Sequence, residues 1–279
     1  MKVGIVGSGG REHAICLSLS KSKNKTPALA FSGGADSTAA LALMPSDTIP
    51  IFLNRPEMGN SLYDSDAPLE ICRSLKESGY EVRVIDSNLE LIREPLGFPT
   101  DLAHAVPIIL LGDQLGIGSI SFGTIMESGY GIGHEKYHDY RLSSHKRFYS
   151  TLFQSVGIDL AMPVIGISEV GTAIICNKSP FGFFSQSCIR GTWLRPCMSC
   201  WKCFRKELLA ISLGNNDADH LISMMETSEV QMRLSAYPIS HENVIIYALQ
   251  KLPLDDHPYL KMVAAKLDMG TRLSFLEAW

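Results

Sequence analysis

Ala28-Leu29-Ala30-Phe31-Ser32-Gly33-Gly34-Ala35-Asp36-Ser37 compresses a strand, a glycine turn and a helix start into one short stretch. Residues 28–31 are an apolar run suited to a buried parallel strand, and residues 38–43 (Thr-Ala-Ala-Leu-Ala-Leu) read as helix beyond the glycines. The turn therefore sits at a helix N-terminus, where unpaired backbone N–H groups and the positive dipole end favour an anion. Gly33 and Gly34 let the backbone approach phosphate oxygens, and Ser32 and Ser37 add hydroxyls. Asp36 would repel phosphate, so it is expected to cap the helix or to hold Mg²⁺.

The turn lacks the Gly-Lys-Ser/Thr ending of a Walker A site, which weakens any kinase or ATPase reading. Residues 32–37 instead resemble the SGGxDS signature of the PP-loop ATP pyrophosphatases. That resemblance implies an ATP site around Phe31, Ser32, Gly33, Gly34, Asp36 and Ser37, and cleavage of ATP to AMP and pyrophosphate while a substrate oxygen is adenylated.

The chain has 279 residues, 46% hydrophobic and 19% charged, enough for one large domain or a domain with an appendage. A formal net charge of -4 counts against nucleic acid as a partner and against a polybasic membrane anchor. No apolar run approaches the roughly 18 residues of a membrane span. The opening apolar run stops at Gly7 and is followed by Arg11 and Glu12, unlike a signal peptide, so a cytoplasmic location is expected.

From residue 27 onward strands and helices alternate. Strands are predicted at 28–31, 48–53, 81–85 and 119–122, and helices at 67–78, 101–115 and 141–160. This order predicts an α/β, Rossmann-like parallel sheet with helices on both faces, and ligands beyond the carboxyl ends of the strands. Ser32, Leu53, Asp86 and Gly123 would all lie there. Gly123, Glu127 and the glycine-rich loop that follows are expected to form a second wall of the site, with Glu127 as a catalytic candidate. His134 and His138 read as a solvated face, for want of an acidic third ligand. Ser168 is a natural N-cap for a helix opening at Glu169.

Residues 1–24 read as a separate βα unit, with a strand at 2–6, a turn at Gly7-Ser8-Gly9-Gly10 and a helix at 11–22. Glu12 replaces the third glycine of a dinucleotide turn. The opening run resembles the start of phosphoribosylamine-glycine ligases, over about the first twenty residues only. A ligase of that kind would release ADP and phosphate.

Four of the seven cysteines crowd into Cys188, Cys197, Cys200 and Cys203. Thiolates two residues apart can share one ion from a tight turn, and a fourth from a preceding loop closes a structural tetrahedron, with Zn²⁺ ahead of an iron-sulfur cluster. Arg190, Arg195, Lys202, Arg205 and Lys206 interleave with them; they would favour thiolates, or one or two could take a substrate anion.

The turn at 32–37, Ser128-Gly129-Tyr130 after the fourth strand, and Ser187-Cys188 with the later cysteines are together similar to the 7-cyano-7-deazaguanine synthases of queuosine biosynthesis. This resemblance spans about residues 28–206. It implies ATP, Mg²⁺ and Zn²⁺, adenylation of a small carboxylate and attack by ammonia. Three departures suggest a changed acceptor: the acidic residue of the family lies further from the Ser-Gly-Tyr triplet than Glu127 does, a lysine expected at a helix start is Glu169, and residues 1–24 and 211–279 are extra. The implied organisation is an N-terminal extension (1–24), an ATP domain (25–187), a four-cysteine zinc segment (188–210) and a helical tail (211–279), with helices predicted at 206–213, 218–234 and 242–252. In that tail Leu221, Met224, Met225, Met232 and Leu234 read as core or as the contact of a homodimer. Rival readings are a tRNA-modifying sulfur transferase, which would want an exposed reactive cysteine, and an ATP-binding module without turnover.

Overall fold

The computed structural model describes residues 26–55, 63–88, 101–133, 137–143, 145–214, 219–256 and 258–271. The expectations for residues 1–24 and for His134 fall outside them.

Five parallel strands form one sheet: β1 (Thr26–Phe31), β2 (Ile49–Asn54), β3 (Arg83–Asp86), β4 (Ile117–Phe122) and β5 (Asp159–Ala161), in the order β3-β2-β1-β4-β5. Central β1 and β4 are buried almost throughout, as strands covered on both faces must be. Successive β1 side chains enter opposite cores. Ala28 and Ala30 join Ile51, Ile120 and Phe122 on one face, while Leu29 and Phe31 join Phe52, Ile71 and Leu75 on the other.

The chain steps outward from β1 to β2 and β3, then returns to the other side of β1 for β4. The direction of winding thus reverses between β1 and β4, where open α/β sheets hold their ligands. The turn at residues 32–37 follows β1, and Gly123 follows β4. The α/β class and parallel sheet predicted from the sequence are the observed ones.

Helix α1 (Ala35–Leu43) follows the turn, and α2 (Asp66–Glu77) joins β2 to β3. The single helix predicted at 101–115 is broken into a tight helical turn at Asp101–Ala105, α3 (Val106–Leu110) and α4 (Gly112–Leu115). Pro107 lacks the N–H that a continuous helix needs, and left-handed Gly116 ends the run. Beyond β4 comes α5 (Met126–Tyr130). The helix predicted at 141–160 survives as a short turn at Tyr140–Leu142 and a helical stretch ending with α6 (Ser150–Ser155). Gly157, at φ +76°, turns the chain there, and residues 159–161 become β5, an edge strand absent from the prediction.

Helix α7 (Glu169–Lys178) lies against α1. Helix α8 (Trp201–Ser212) begins among the cysteines, five residues before its predicted start at 206. The predicted helix 218–234 is two, α9 (Asp219–Met225) and α10 (Ser228–Ser235), separated where the Thr227 hydroxyl donates to the carbonyls of Ser199 and Met224. Helices α11 (Glu242–Gln250) and α12 (Pro258–Ala264) complete the tail. One core unites Cys188, Cys200, Cys203 and Phe204 with Leu221, Met224, Val230 and Leu234, so the cysteine segment and the tail pack as a unit. Met232 points outward, 62% exposed. Among the described residues no helix is long and apolar enough to cross a membrane.

Candidate functional site

The turn after β1 is shaped by two serines and two glycines. Ser32 Oγ and Ser37 Oγ are 3.0 Å apart, and Ser37 Oγ donates to the Gly34 carbonyl at 3.0 Å. Gly33, at φ +76°, lies so close to α2 that a Cβ there would stand 3.0 Å from Pro68 Cα. Gly34 is the N-cap of α1, and no side chain caps the helix. The helix start therefore keeps its anion-binding potential, apart from the Ala35 N–H, which donates to Ser187 Oγ at 3.2 Å.

Gly123 meets this turn from the β4 side. A Cβ on Gly123 would lie 2.8 Å from Ser37 N and Cα. Its role is close packing that fixes the height of the turn over the sheet. Phe31 and Leu53 are 1% and 2% exposed, so their side chains belong to the core and only their backbone faces the strand ends.

Asp36 is not the cap of α1. Its Oδ1 accepts from Thr172 Oγ1 of α7 at 2.7 Å and stands 3.5 Å from Lys206 Nζ of α8. Thr172 and Lys206 were missed as partners because they lie far along the chain.

Glu127 is placed otherwise than the sequence suggested. It is fully buried, its Oε2 accepts from Glu169 N at 2.9 Å, and its Oε1 accepts from Asn243 Nδ2 at 2.8 Å. With both oxygens engaged it braces α5, α7 and α11, and it offers the site no free carboxylate. Burial pushes its pKa up to about 7, against the lowering effect of the Asn243 hydrogen bond. The Ser168 hydroxyl adds the predicted N-cap by accepting from Gly171 N at 3.2 Å.

Glu169 is equally buried, and its charge is compensated. Arg205 Nε lies 2.8 Å from its Oε2 and Lys206 Nζ 3.0 Å from its Oε1. Burial opposes ionisation of this carboxyl, but Lys206 and Arg205 outweigh it and hold its pKa below the usual carboxylate range. The acidic residue standing where the synthase resemblance expects lysine is thus matched by a lysine from another helix.

The four cysteine sulfurs lie within 4.8 Å of one another. Cys188 Sγ and Cys197 Sγ are 3.6 Å apart, and Cys197 Sγ and Cys203 Sγ 3.8 Å. Cys200 Sγ accepts from Cys203 N at 3.4 Å, so the cysteine that caps α8 belongs to the cluster as well. Leu194 and Met198 hold positive φ within this loop, an unfavourable conformation kept by the tight knuckle around the thiols. Gln186 knits the loop, donating to the carbonyls of Cys188, Gly191 and Thr192 and accepting from Leu194 N.

The cluster and the turn are adjacent. Ser185 Oγ and Gln186 N both donate to the Gly33 carbonyl, Ser187 takes the Ala35 N–H, and Cys188 follows directly. A cavity of about 300 Å³ opens between them, lined among others by Ala35, Cys176, Ser185, Ser187, Cys203 and Lys206.

Among known proteins, a model described as a family of unknown function (DUF6395) matches residues 149–279, which contain the cysteines and the tail but not the turn at 32–37. No curated protein matches the chain. A solved U34-tRNA thiolase, NcsA from Methanococcus maripaludis with its [4Fe-4S] cluster, is similar at 16% identity and a TM-score of 0.42, covering 75% of this chain and 70% of that one.

Proposed function

We propose that this chain is a PP-loop ATP pyrophosphatase that binds Mg²⁺·ATP at residues 32–37, adenylates a small carboxylate and passes the acyl group to a nitrogen nucleophile such as ammonia. The observation that carries the reading is the Ser-Gly-Gly-Ala-Asp-Ser turn, which delivers an uncapped helix start to the reversal point of the sheet. ATP phosphates would meet the N–H groups of this helix start and the Ser32 hydroxyl, with Ser37, whose hydroxyl donates to the Gly34 carbonyl, bracing the turn and Asp36 at hand for Mg²⁺. Catalysis of this kind is mostly alignment and neutralisation of charge. The adjoining cavity, with Ser185, Asn177 and Lys202 on its wall, suits a polar carboxylate of the 7-carboxy-7-deazaguanine type.

The thiol cluster fits one tetrahedral ion. Zinc–thiolate bonds of about 2.3 Å put sulfurs about 3.8 Å apart, close to the 3.6 and 3.8 Å of two pairs, while all four sulfurs lie within 4.8 Å of one another. In a cubane cluster each thiolate takes a different iron and the sulfurs stand further apart. We therefore assign zinc, in a closed structural site held by Cys188, Cys197, Cys200 and Cys203.

Sulfur transfer on a cysteine has less support. Among the described residues the cysteines outside the cluster are Cys72 and Cys176, 1% and 3% exposed. Burial pushes the Cys72 thiol up to about 12 and raises that of Cys176, the reverse of an activated nucleophile.

The test is mass spectrometry of nucleotide and base after incubation of the full chain with ATP, Mg²⁺, ammonium and 7-carboxy-7-deazaguanine. AMP with the nitrile establishes the reaction, and AMP alone retains the chemistry with another carboxylate. ADP would return the weight to the ligase reading. Asp36→Ala is expected to abolish AMP formation with the fold intact; an active variant overturns the assignment of this site.

A further inference from the structure

Helix α8 carries two sites one turn apart. Its cap and first turn supply Cys200 and Cys203, and its next turn supplies Arg205 and Lys206. Cys203 and Lys206 are three residues apart and lie on neighbouring positions of one helix face. Lys206 reaches the nucleotide turn from there: its Nζ stands 3.5 Å from Asp36, and its side chain lines the same cavity as Ala35, the first residue of α1. The enclosed ammonium is paired with two carboxylates, Glu169 Oε1 at 3.0 Å and Asp36 Oδ1 at 3.5 Å, which leaves one of its three N–H donors for a further anion. Arg205, by contrast, is committed to Glu169 through a 2.8 Å hydrogen bond.

We propose that Lys206 is the cation that neutralises the phosphates at the turn, and that the metal-bearing first turn of α8 sets its position, so that metal and nucleotide support each other's binding. The proposal rests on ATP binding at residues 32–37. The chain lacks a lysine within the turn itself, and the helix following that turn brings only Asp36 into its first turn. A triphosphate at the turn carries more negative charge than one Mg²⁺ offsets and would lie beside Asp36, while Arg205 is already taken up by Glu169. Lys206 is within reach of both carboxylates and has a donor to spare. Because α8 is a short rigid rod seated in the cysteine core, a shift of its first turn moves Lys206 with it. Coupling of two binding equilibria is reciprocal, so a bound nucleotide must then tighten the metal by the same factor.

The experiment uses the full-length, zinc-loaded chain. ATP affinity is measured by titration for wild type, Lys206→Gln and Lys206→Arg, with zinc per chain measured alongside. Loss of a charge-assisted contact to phosphate is expected to weaken ATP about tenfold to a hundredfold in Lys206→Gln. Lys206→Arg should recover most of that, and all three should carry the same zinc. Each protein is then equilibrated against a zinc-selective chelator with and without saturating Mg²⁺·ATP. Nucleotide should raise the chelator concentration needed for half-extraction in wild type and leave it unmoved in Lys206→Gln. Wild-type ATP affinity in Lys206→Gln overturns the assignment of the lysine, and equal protection of zinc in both proteins overturns the coupling. If wild type itself fails to bind ATP, the proposed function falls and this inference falls with it.

Discussion

Replacing Gly123 by alanine tests the packing that sets the nucleotide turn. The added Cβ would stand 2.8 Å from Ser37 N and Cα and 3.0 Å from Asp36 C, all backbone atoms with no rotamer to yield. Carbon contacts settle at about 3.5–4.0 Å, so the end of β4 and the start of α1 must separate by about 0.7 Å or more. Overpacking of this kind costs about 1–3 kcal/mol, or about 2–5 °C in Tm for a chain of this size. A donor displaced that far no longer reaches a phosphate oxygen at about 2.9 Å, and each charge-assisted hydrogen bond lost weakens ATP at least about tenfold. Thermal unfolding and ATP titration of Gly123→Ala read both effects. Gly166→Ala is the control, because a Cβ there meets nothing within 4 Å and needs no left-handed backbone. It should leave affinity unchanged and stability level or slightly raised. Wild-type Tm and affinity in Gly123→Ala would show that the turn is not held from the β4 side.

Two further outcomes are expected. The Glu127 carboxyl holds its proton to about pH 7 when folded but only to about 4.5 when free, so the folded chain binds the extra proton between those values. Stability contributed at this site is full below pH 4.5, falls as the pH rises through 7 and is level above it, a loss of about 3 kcal/mol at most. Glu127→Gln should remove that slope in urea unfolding at stepped pH, at a pH-independent cost of about 1–3 kcal/mol because its amide meets one of two donors; a slope unchanged in the variant refutes the assignment. Stripping the metal with excess chelator should loosen the core shared by the cysteines and the tail, by roughly several kcal/mol. Trp201, stacked on Phe204 next to Cys200, should report this in its fluorescence. The four cluster thiols should then react quickly while Cys72 and Cys176 stay slow, and uniform reactivity of all six would count against a local site.

The strands β1, β2 and β4 were legible as short, largely apolar runs between turn residues, and the 32–37 turn because its six residues in order leave little choice of backbone. The four cysteines were legible from spacing alone. What escaped has a common cause. Glu127 looks like an active-site acid in a glycine-rich loop, and only the approach of Glu169 and Asn243, 42 and 116 residues away, consumes its oxygens. Glu169 reads as a charge reversal until Arg205 and Lys206 are folded onto it. Pairings over such separations leave no periodic trace. The strand β5 was hidden by its brevity, and the breaks at Pro107 and Gly157 were local signals that apolar content on either side outweighed.

The edges of the sheet carry a consequence for how the chain behaves at high concentration. Both edge strands are stubs, β3 of four residues and β5 of three, while the long apolar strands β1 and β4 lie inside. Among the described residues the sheet edges thus present few unpaired backbone groups for another strand to join. The hazard belongs to the unfinished chain. Residues 26–31 and 117–122 lie 85 residues apart in the chain, so pairing them closes a long loop, and until it closes both are uncharged segments without their partner. Aggregation through these strands should therefore track slow or interrupted folding.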